Sequence, residues 1–194
     1  MFNDKYGLTQ AVLEGRKTMT RRLVPYSILM MLGRYRQEYY EATLEPISKR
    51  KALLNMIVGE RLLSTVYQIG EEVAVAQAYK DLQNPFAECG MAWPTAGGWG
   101  NKMFVKAEDM PHRIRIIKIN VEQLQDISEE DAKREGLEMV YYGGEEWYKI
   151  CDTKDGIKAA PTAREAFSVL IDKILGKGTW KSNPWVIVYK FKLI

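Results

Sequence analysis

The segment GRKTMTRR, residues 15–22, combines an amine and hydroxyls at a spacing that could do chemistry. Lys17 lies three residues before Thr20. A lysine in an apolar crease loses its charge more easily because burial disfavours the ammonium, and a neutral lysine can take a proton from a hydroxyl. A threonine activated in this way is a nucleophile. Side chains alternate along a strand, so Lys17 and Thr20 converge only if Lys17 belongs to a turn or a β-bulge intervenes.

Glu135 offers a carboxylate for the same site. The segment SEEDAKRE, residues 128–135, predicts a short helix capped by Ser128 and ended by Gly136. Glu135 then lies at the negative end of the helix dipole, where a carboxylate is disfavoured by ~0.3–1 kcal/mol relative to a cation. Either Glu135 is exposed and this cost is screened, or a cation from residues 15–22 compensates it.

A purely structural interpretation of the same motif stays open. Basic residues on an edge strand prevent that edge from pairing with another chain. Arg16, Arg21 and Arg22 could serve this purpose without binding anything.

The sequence does not indicate the other common catalytic centres. His112 is the one histidine, so a serine or cysteine hydrolase would have to use it, and no serine lies in a GxSxG motif. No nucleotide-binding glycine motif is present, and no Cys/His set has the spacing of a zinc site. We therefore expect no metal and no cofactor.

Composition fits a folded domain that has no membrane segment. The 194 residues are 46% apolar and 27% charged, and the net charge of +3 permits an anionic partner without requiring one. Cys89 and Cys151 are far apart and are expected to be free thiols in a reducing compartment. The start lacks the apolar core of a signal peptide, and no apolar run is long enough to span a membrane. These features predict a cytoplasmic protein.

The elements that must position the candidate groups form an α+β set. Apolar spacing predicts a helix over 8–15, and β-branched residues predict a strand over 18–24. Helical composition between Tyr26 and Thr65, with a break at Glu45–Pro46, predicts two helices packed on the side of the domain as an insertion. Further predicted elements are strands over 73–79, 101–107 and 112–124, a loop over 81–101, a helix from the cap Thr162 to Gly176, and a final strand from Trp185. Short helices among about six strands predict an α+β fold whose strands curl into a small barrel.

The ordered motifs resemble the ASCH domain family, a branch of the PUA-like superfamily. The family signature is a Gly, a Lys two residues on and a downstream Arg, which fall here on Gly15, Lys17 and Arg22. Three further segments match in order, and a fourth resembles phage-type members: YQIGEEVAV, SEEDAKREG, NPWVIVYKF and GWGNKMFVKAEDMPH. The resemblance covers roughly the whole chain except 26–66. It implies a single PUA-like barrel domain with a cleft beside the motif, and a partner that is RNA or a modified nucleoside.

The resemblance also implies an activity. Some small bacterial members are amidohydrolases that remove the acetyl group of 4-N-acetylcytidine with the Lys and Thr of a GRKTxTxR stretch and a Glu from a later short helix. These map onto Lys17, Thr20 and Glu135. Thr20 would attack the amide after Lys17 takes its proton, and Glu135 would orient Lys17 or protonate the leaving amine. Arg22 or a backbone N–H would steady the oxyanion. The expected substrate contacts are Arg16, Arg21, Arg22, Tyr79, Trp93, Trp99, Asn101 and Lys102.

Two other functions remain open from the sequence. A non-catalytic RNA-binding module would have a salt-sensitive basic groove, formed by Arg16, Arg21, Arg22, Arg113 and Arg115. RNA cleavage has also been ascribed to ASCH relatives, but the lack of a spare histidine makes it less attractive here. The helical insertion and the long loop could cover or reshape the cleft in either case.

Overall fold

Two antiparallel sheets form the framework of the part of the chain that the computed structural model describes, which is residues 2–59, 67–82, 97–153 and 156–194. The strands are β1 (Met19–Leu23), β2 (Glu72–Ala74), β3 (Arg113–Gln123), β4 (Met139–Tyr142), β5 (Glu145–Thr153), β6 (Gly156–Ala160) and β7 (Trp185–Leu193). The larger sheet has the order β1–β7–β3–β2 and curls into a half-barrel, and the smaller has the order β4–β5–β6.

Helices and short helical turns connect these strands. The α-helices are α1 (Leu8–Leu13), α2 (Tyr26–Thr43), α3 (Lys49–Leu54), α4 (Glu129–Lys133), α5 (Ala163–Leu175) and α6 (Thr179–Ser182). A π-helical turn spans Asn55–Gly59, and 3₁₀ turns span Asp4–Tyr6, Tyr79–Asp81, Lys102–Phe104, Ala107–Asp109 and Leu124–Asp126. The predicted α+β class is confirmed. Among the described helices, none has both the length and the apolar character needed to cross a bilayer.

The predicted helix caps hold α4 and α5 in place. The Ser128 hydroxyl accepts a hydrogen bond from the Asp131 backbone N–H at 3.1 Å, and the Thr162 hydroxyl accepts one from the Glu165 N–H at 3.2 Å. Each bond satisfies a backbone donor that the first helical turn leaves without a partner. The short helix α4 ends at Lys133, with Arg134 as its C-cap, two residues before Glu135.

Two apolar clusters lie on the two sides of the larger sheet. The first packs α2 and α3 against inward residues of β3 and β7, among them Ile28, Leu53, Ile116, Val121, Ile187 and Phe191. The second packs α5 between β7 and the smaller sheet, among them Phe167, Leu170, Val186, Val188, Tyr148 and Ile150. Phe2 packs against both clusters, so the N-terminal segment lies where they meet.

Three sequence expectations differ from the described structure. The strand predicted over 73–79 covers only Glu72–Ala74, because the Tyr79 N–H is bonded to the Gly98 carbonyl and begins a 3₁₀ turn. The segment 101–107 is not a strand, since the Asn101 side chain accepts from the Met103 N–H at 3.0 Å and starts another turn.

The third difference is the smaller sheet, which the sequence did not predict. Gly143 and Gly144 both have positive φ, 62° and 87°, and join β4 to β5. Two such residues between strands are typical of a tight hairpin turn. The described strands therefore form two sheets where one barrel was expected. Cys89, Trp93 and most of the loop predicted over 81–101 lie outside the described residues.

Candidate active site

Lys17 and Glu135 face each other where the turn after α1 meets the end of α4. They form an isolated antiparallel bridge. The Lys17 N–H is bonded to the Ala11 carbonyl at 2.8 Å, and the N–H groups of Thr18 and Met19 are bonded to the Arg134 carbonyl at 3.0 and 3.1 Å. Lys17 thus lies in an isolated bridge after the turn and before β1, so the alternation of side chains along β1 does not separate it from Thr20.

The Lys17 amine is buried and held by Glu135 alone among the described residues. Its Nζ lies 2.7 Å from Glu135 Oε2 and 2.8 Å from the Glu135 carbonyl oxygen. The Lys17 side chain is 2% exposed and that of Glu135 is 4% exposed. Burial lowers the pKa of Lys17, and this effect outweighs the attraction of Glu135, which acts in the opposite direction. Lys17 is therefore suited to accept a proton.

Lys17 Nζ has two hydrogen-bond acceptors among the described residues, both on Glu135, which is one fewer than an ammonium has donors. An ammonium carries three N–H donors, whereas a neutral amine carries two and one lone pair. The two bonds to Glu135 would use both N–H groups of the neutral form. The lone pair would then be free to take a proton from a group in the pocket.

Arg21 compensates the other oxygen of Glu135. Arg21 is 5% exposed, and its Nη1 lies 2.8 Å from Glu135 Oε1. It also bonds to Glu122 at 2.8 Å and approaches Asp131 at 3.5 Å. Burial alone would lower the pKa of Arg21, but the charges of Glu135 and Glu122 raise it above its usual value. The carboxylate at the end of α4 is therefore buried between the Lys17 amine and the Arg21 guanidinium, rather than exposed and screened.

A pocket of about 80 Å³ opens onto this pair. Its polar lining consists of Asn3, Lys17, Thr20, Arg21, Arg22 and Glu135, and its apolar lining consists of Phe2, Leu8, Phe167, Leu170, Ile171, Ile174 and Leu175. Thr20 is half-buried, and its hydroxyl has no hydrogen-bond partner among the described residues. The structure therefore brings the three predicted catalytic residues to one small, mainly apolar pocket.

Arg16 lies beside this pocket and not in it. It is exposed, forms an ion pair with Glu14 at 2.5 Å and donates to the Gly136 carbonyl at 3.1 Å. It lines a neighbouring groove of about 270 Å³ that also includes Leu8 and Leu170. Arg22 is exposed and lines the Lys17 pocket.

The other predicted substrate contacts that the structure describes, Tyr79, Trp99, Asn101 and Lys102, do not line the Lys17 pocket. Tyr79 is buried, and its hydroxyl donates to Asp109 Oδ2 at 2.5 Å, a bond that raises the pKa of Tyr79. Trp99 is half-exposed and is not part of the Lys17 pocket, and Trp93 lies outside the described residues.

Lys102 does not line the pocket but binds Phe2 and Asp4 in the N-terminal segment, which does. Its Nζ donates to the Phe2 carbonyl, to Asp4 Oδ1 at 2.6 Å and to Thr9 Oγ1 at 2.9 Å. The Phe2 ring in turn lies over Lys17, with Nζ 5.8 Å from the ring centroid. Lys102 thus holds one wall of the pocket.

Sequence reasoning missed Glu122 and Asp131, the two further acids that bond to Arg21. Glu122 is on β3, which pairs with β7, which in turn pairs with β1. The only local signal was an acid, Glu122, directly after the apolar Val121 in a predicted strand. No group of three or more His, Cys, Asp or Glu within the described part of the chain could hold a metal ion.

Comparison with known proteins yields no relative. No family model, no curated protein and no solved structure matches the chain. The geometry of the pocket is therefore the basis for assigning a function.

Proposed function

We propose that the chain is an amidohydrolase of the ASCH type, built on a PUA-like domain, that removes a small acyl group from an N-acylated nucleoside such as 4-N-acetylcytidine. The observation that carries this proposal is the buried Lys17 amine, which is held by Glu135 and shares one pocket with the Thr20 hydroxyl, a group without a hydrogen-bond partner among the described residues. A base, a nucleophile and an orienting carboxylate are the groups that acyl transfer needs.

Each step of the proposed reaction uses these groups. Lys17 Nζ takes the proton of Thr20 Oγ1 while that oxygen bonds to the acyl carbon. The tetrahedral intermediate then breaks its C–N bond, and the Lys17 ammonium returns the proton to the departing amine. A water deprotonated by Lys17 hydrolyses the acyl ester on Thr20, which releases the carboxylic acid and restores the hydroxyl. Glu135 holds the amine in place and stabilises its charged form.

Arg22 is the candidate for stabilising the negative oxygen of the intermediate. It is exposed and lines the same pocket as Thr20. A fixed positive group near a developing oxyanion lowers the barrier to acyl transfer.

The size of the pocket supports a small acyl group as the part of the substrate that enters. Pockets that hold whole drug-sized ligands are about 300–1,000 Å³, whereas this one is about 80 Å³. An acetyl group would lie against the apolar residues of α5, and the nucleoside would remain at the mouth. This orientation places the amide carbonyl next to Thr20 and Lys17.

Hydrolysis of 4-N-acetylcytidine tests the proposal. Cytidine release would be followed by chromatography for the purified protein and for Lys17→Ala and Glu135→Ala. Lys106→Ala is the matched control, since Lys106 is exposed and does not line the pocket. We expect turnover by the protein and the control, and a loss of at least ~100-fold in both site variants. Absence of turnover in the unaltered protein would refute the proposal.

A second candidate function, RNA binding without catalysis, is favoured by the charge on one face of the larger sheet. Lys118 lies opposite Lys190 and Arg115 lies opposite Lys192 in the pairing of β3 with β7. Like charges directly opposite each other destabilise a sheet. Arg115 already forms an ion pair with Glu72 at 2.6 Å, so a polyanion bound along this face would chiefly compensate Lys118 and Lys190. Arg21 is buried and contributes nothing to such a surface.

Salt-titrated binding of a short single-stranded RNA would measure this second function. Lys118→Gln combined with Lys190→Gln should weaken binding and reduce the slope of log affinity against log salt by about 1–2. Lys181→Gln, an exposed lysine on α6, is the control. Equal slopes for all three proteins would exclude this face as the RNA site.

A further inference from the structure

Charged side chains of alternating sign continue from the buried Glu135 and Arg21 to the partly exposed Glu122 and Asp131. Lys17 bonds to Glu135 Oε2 at 2.7 Å, and Arg21 bonds to Glu135 Oε1 at 2.8 Å. Arg21 then bonds to Glu122 through Nε at 2.9 Å and to Asp131 at 3.5 Å. Arg21 occupies a position that varies in the GRKTxTxR pattern, so nothing in the motif assigns it a role.

We propose that Arg21 is a positioning residue that keeps Lys17 in its neutral, proton-accepting form, and that Glu122 opposes this effect. The catalytic part of this proposal, in which neutral Lys17 accepts a proton, rests on the proposed function. The protonation state of Lys17 can also be measured without any turnover.

The negative charge of Glu135 can be compensated by Arg21 or by a protonated Lys17. An arginine stays charged under all ordinary conditions. With Arg21 on Oε1, the Glu135 carboxylate is balanced without a proton on Lys17. If Arg21 lost its charge, Lys17 would be the only cation among the described residues that bonds to the Glu135 carboxylate, which would favour the ammonium.

Among the described groups that face Lys17 from the surrounding elements, Arg21 is the buried cation. The end of α4 contributes Glu135, and β1 contributes Arg21 and Arg22. The N-terminal segment contributes the Phe2 ring and the Asn3 amide, and α1 and α5 contribute apolar side chains. The charges of Arg22 and of Arg21 both lower the pKa of Lys17, but Arg22 is exposed, so solvent and salt screen its charge more than that of the buried Arg21.

Glu122 should act with the opposite sign. Its side chain is 14% exposed, and its carboxylate neutralises part of the Arg21 charge. Glu122→Gln leaves that charge less compensated and should disfavour the Lys17 ammonium further. A merely structural role for Arg21 and Glu122 predicts no such pair of opposite effects.

The test is the pH titration of the Lys17 side chain by NMR in protein with ¹³C- and ¹⁵N-labelled lysine, with its signal assigned from Lys17→Met. Arg21→Gln should raise the titration midpoint by about one pH unit or more, and Glu122→Gln should lower it. Arg134→Gln is the matched control, because Arg134 bonds to the same Asp131 at 3.4 Å through its side chain but does not bond to Glu135 through that side chain. Arg134→Gln should change the titration midpoint of Lys17 by no more than about 0.3 pH units relative to the unaltered protein.

The outcomes separate this inference from the proposed function. Opposite shifts in a protein that does not hydrolyse 4-N-acetylcytidine would support the role of Arg21 and refute the amidohydrolase. If the protein hydrolyses 4-N-acetylcytidine, the acid limb of its pH profile of kcat/KM should shift in each variant in the same direction as the NMR titration midpoint of Lys17. An unmoved midpoint, or shifts of the same sign in both variants, would overturn the inference. If Arg21→Gln does not fold, the Glu122→Gln midpoint decides, and an unchanged or raised value overturns it.

Discussion

Gly136 lets the turn after α4 approach the Lys17 side chain closely. Its φ is +95°, and a Cβ atom there would lie 2.9 Å from Lys17 Cβ and 3.0 Å from Ala11 Cβ. Other L-residues adopt such a φ at a cost of about 1–2 kcal/mol. Both the backbone angle and the close approach therefore require glycine between Glu135 and Leu137, and the position of Lys17 depends on it.

Gly136→Ala should destabilise the fold more than Gly15→Ala. Gly15 also has a positive φ, +74°, but a Cβ there would meet nothing within 4 Å. We expect Gly15→Ala to cost about 1 kcal/mol of unfolding free energy and Gly136→Ala to cost about 2–4 kcal/mol, because strain and overpacking add. Urea denaturation measures both values. Equal costs would show that the contact with Lys17 contributes nothing.

The unfolding free energy should rise with pH on the alkaline side because of Lys17. The pKa of Lys17 is lowered from 10.5 in the folded chain, so the unfolded chain binds more protons between the two values. The slope is then positive, at most ~1.4 kcal/mol per pH unit. This contribution is complete above pH 10.5 and is lost as the pH falls through the folded-state pKa.

Lys17→Met removes this titration and should flatten the profile. The difference in unfolding free energy between the unaltered protein and Lys17→Met should change in favour of the unaltered protein as pH rises toward 10.5. Lys106→Met, at an exposed position, is the control and should show no such trend. A difference that is independent of pH would mean that Lys17 is charged in the folded chain.

At the scale of elements, α5 determines the depth of the pocket. Its C-terminal half contributes Leu170, Ile171, Ile174 and Leu175 to the lining, and its N-terminal half packs under the larger sheet. The sequence predicted this helix well, because Thr162 caps it and Gly176 follows its last residue. The pocket it forms could not be predicted, since that depends on how α5 packs against β1.

Ile174→Ala should widen the pocket and change the preferred acyl chain. One methylene in an apolar pocket is worth about tenfold or more in discrimination. We expect the ratio of kcat/KM for 4-N-butyrylcytidine over 4-N-acetylcytidine to rise about tenfold. Val169→Ala is the matched control, because Val169 is a half-buried residue of α5 that does not line the pocket. An unchanged ratio in Ile174→Ala would place the acyl group elsewhere.

The smaller sheet shows where sequence reasoning at this scale fell short. The segment YYGGEEW contains a hairpin signal, two adjacent glycines between segments with strand-forming tyrosine and tryptophan. The missed turns at Tyr79 and Asn101 had another cause. Tyr79 is bonded to Gly98 and Asp109, and contacts of this range override local propensity.

At the scale of the whole molecule, the N-terminal segment joins the two apolar clusters and closes the pocket. Phe2 packs against both clusters, and Lys102 holds its carbonyl together with Asp4 and Thr9. The sequence suggested Lys102 as a substrate contact. Its role as a tether could not be anticipated, because its partners lie almost 100 residues away along the chain, with a separation of 98 to Asp4.

Lys102→Met should loosen the N-terminal segment without affecting the sheets. Bonds from a charged group that is 13% exposed are worth about 1–2 kcal/mol together, or about tenfold in local opening. Amide hydrogen exchange at residues 5–9 should therefore be about tenfold faster, and exchange in β7 should be unchanged. Lys106→Met, whose ion pair with Glu108 is exposed, is the control. Equal exchange rates at residues 5–9 would show that Lys102 is no tether.

The site itself was partly predictable. Motif spacing indicated Lys17 and Thr20, and the helix dipole singled out Glu135, all of which line one pocket. Arg21 was expected to face a ligand but pairs inward with acids from two other elements. That arrangement depends on the register of β1, β7 and β3, which no local pattern specifies.

The hydroxyl of Thr20 is the most direct point at which to test the account. The measurement is the turnover of 4-N-acetylcytidine by Thr20→Val beside Thr18→Val, a matched change in the same motif at a side chain that does not line the pocket. We predict that Thr20→Val loses at least ~100-fold in kcat while Thr18→Val keeps activity within a few-fold. Equal activity in both variants would contradict a nucleophilic role for Thr20 and the central claim with it.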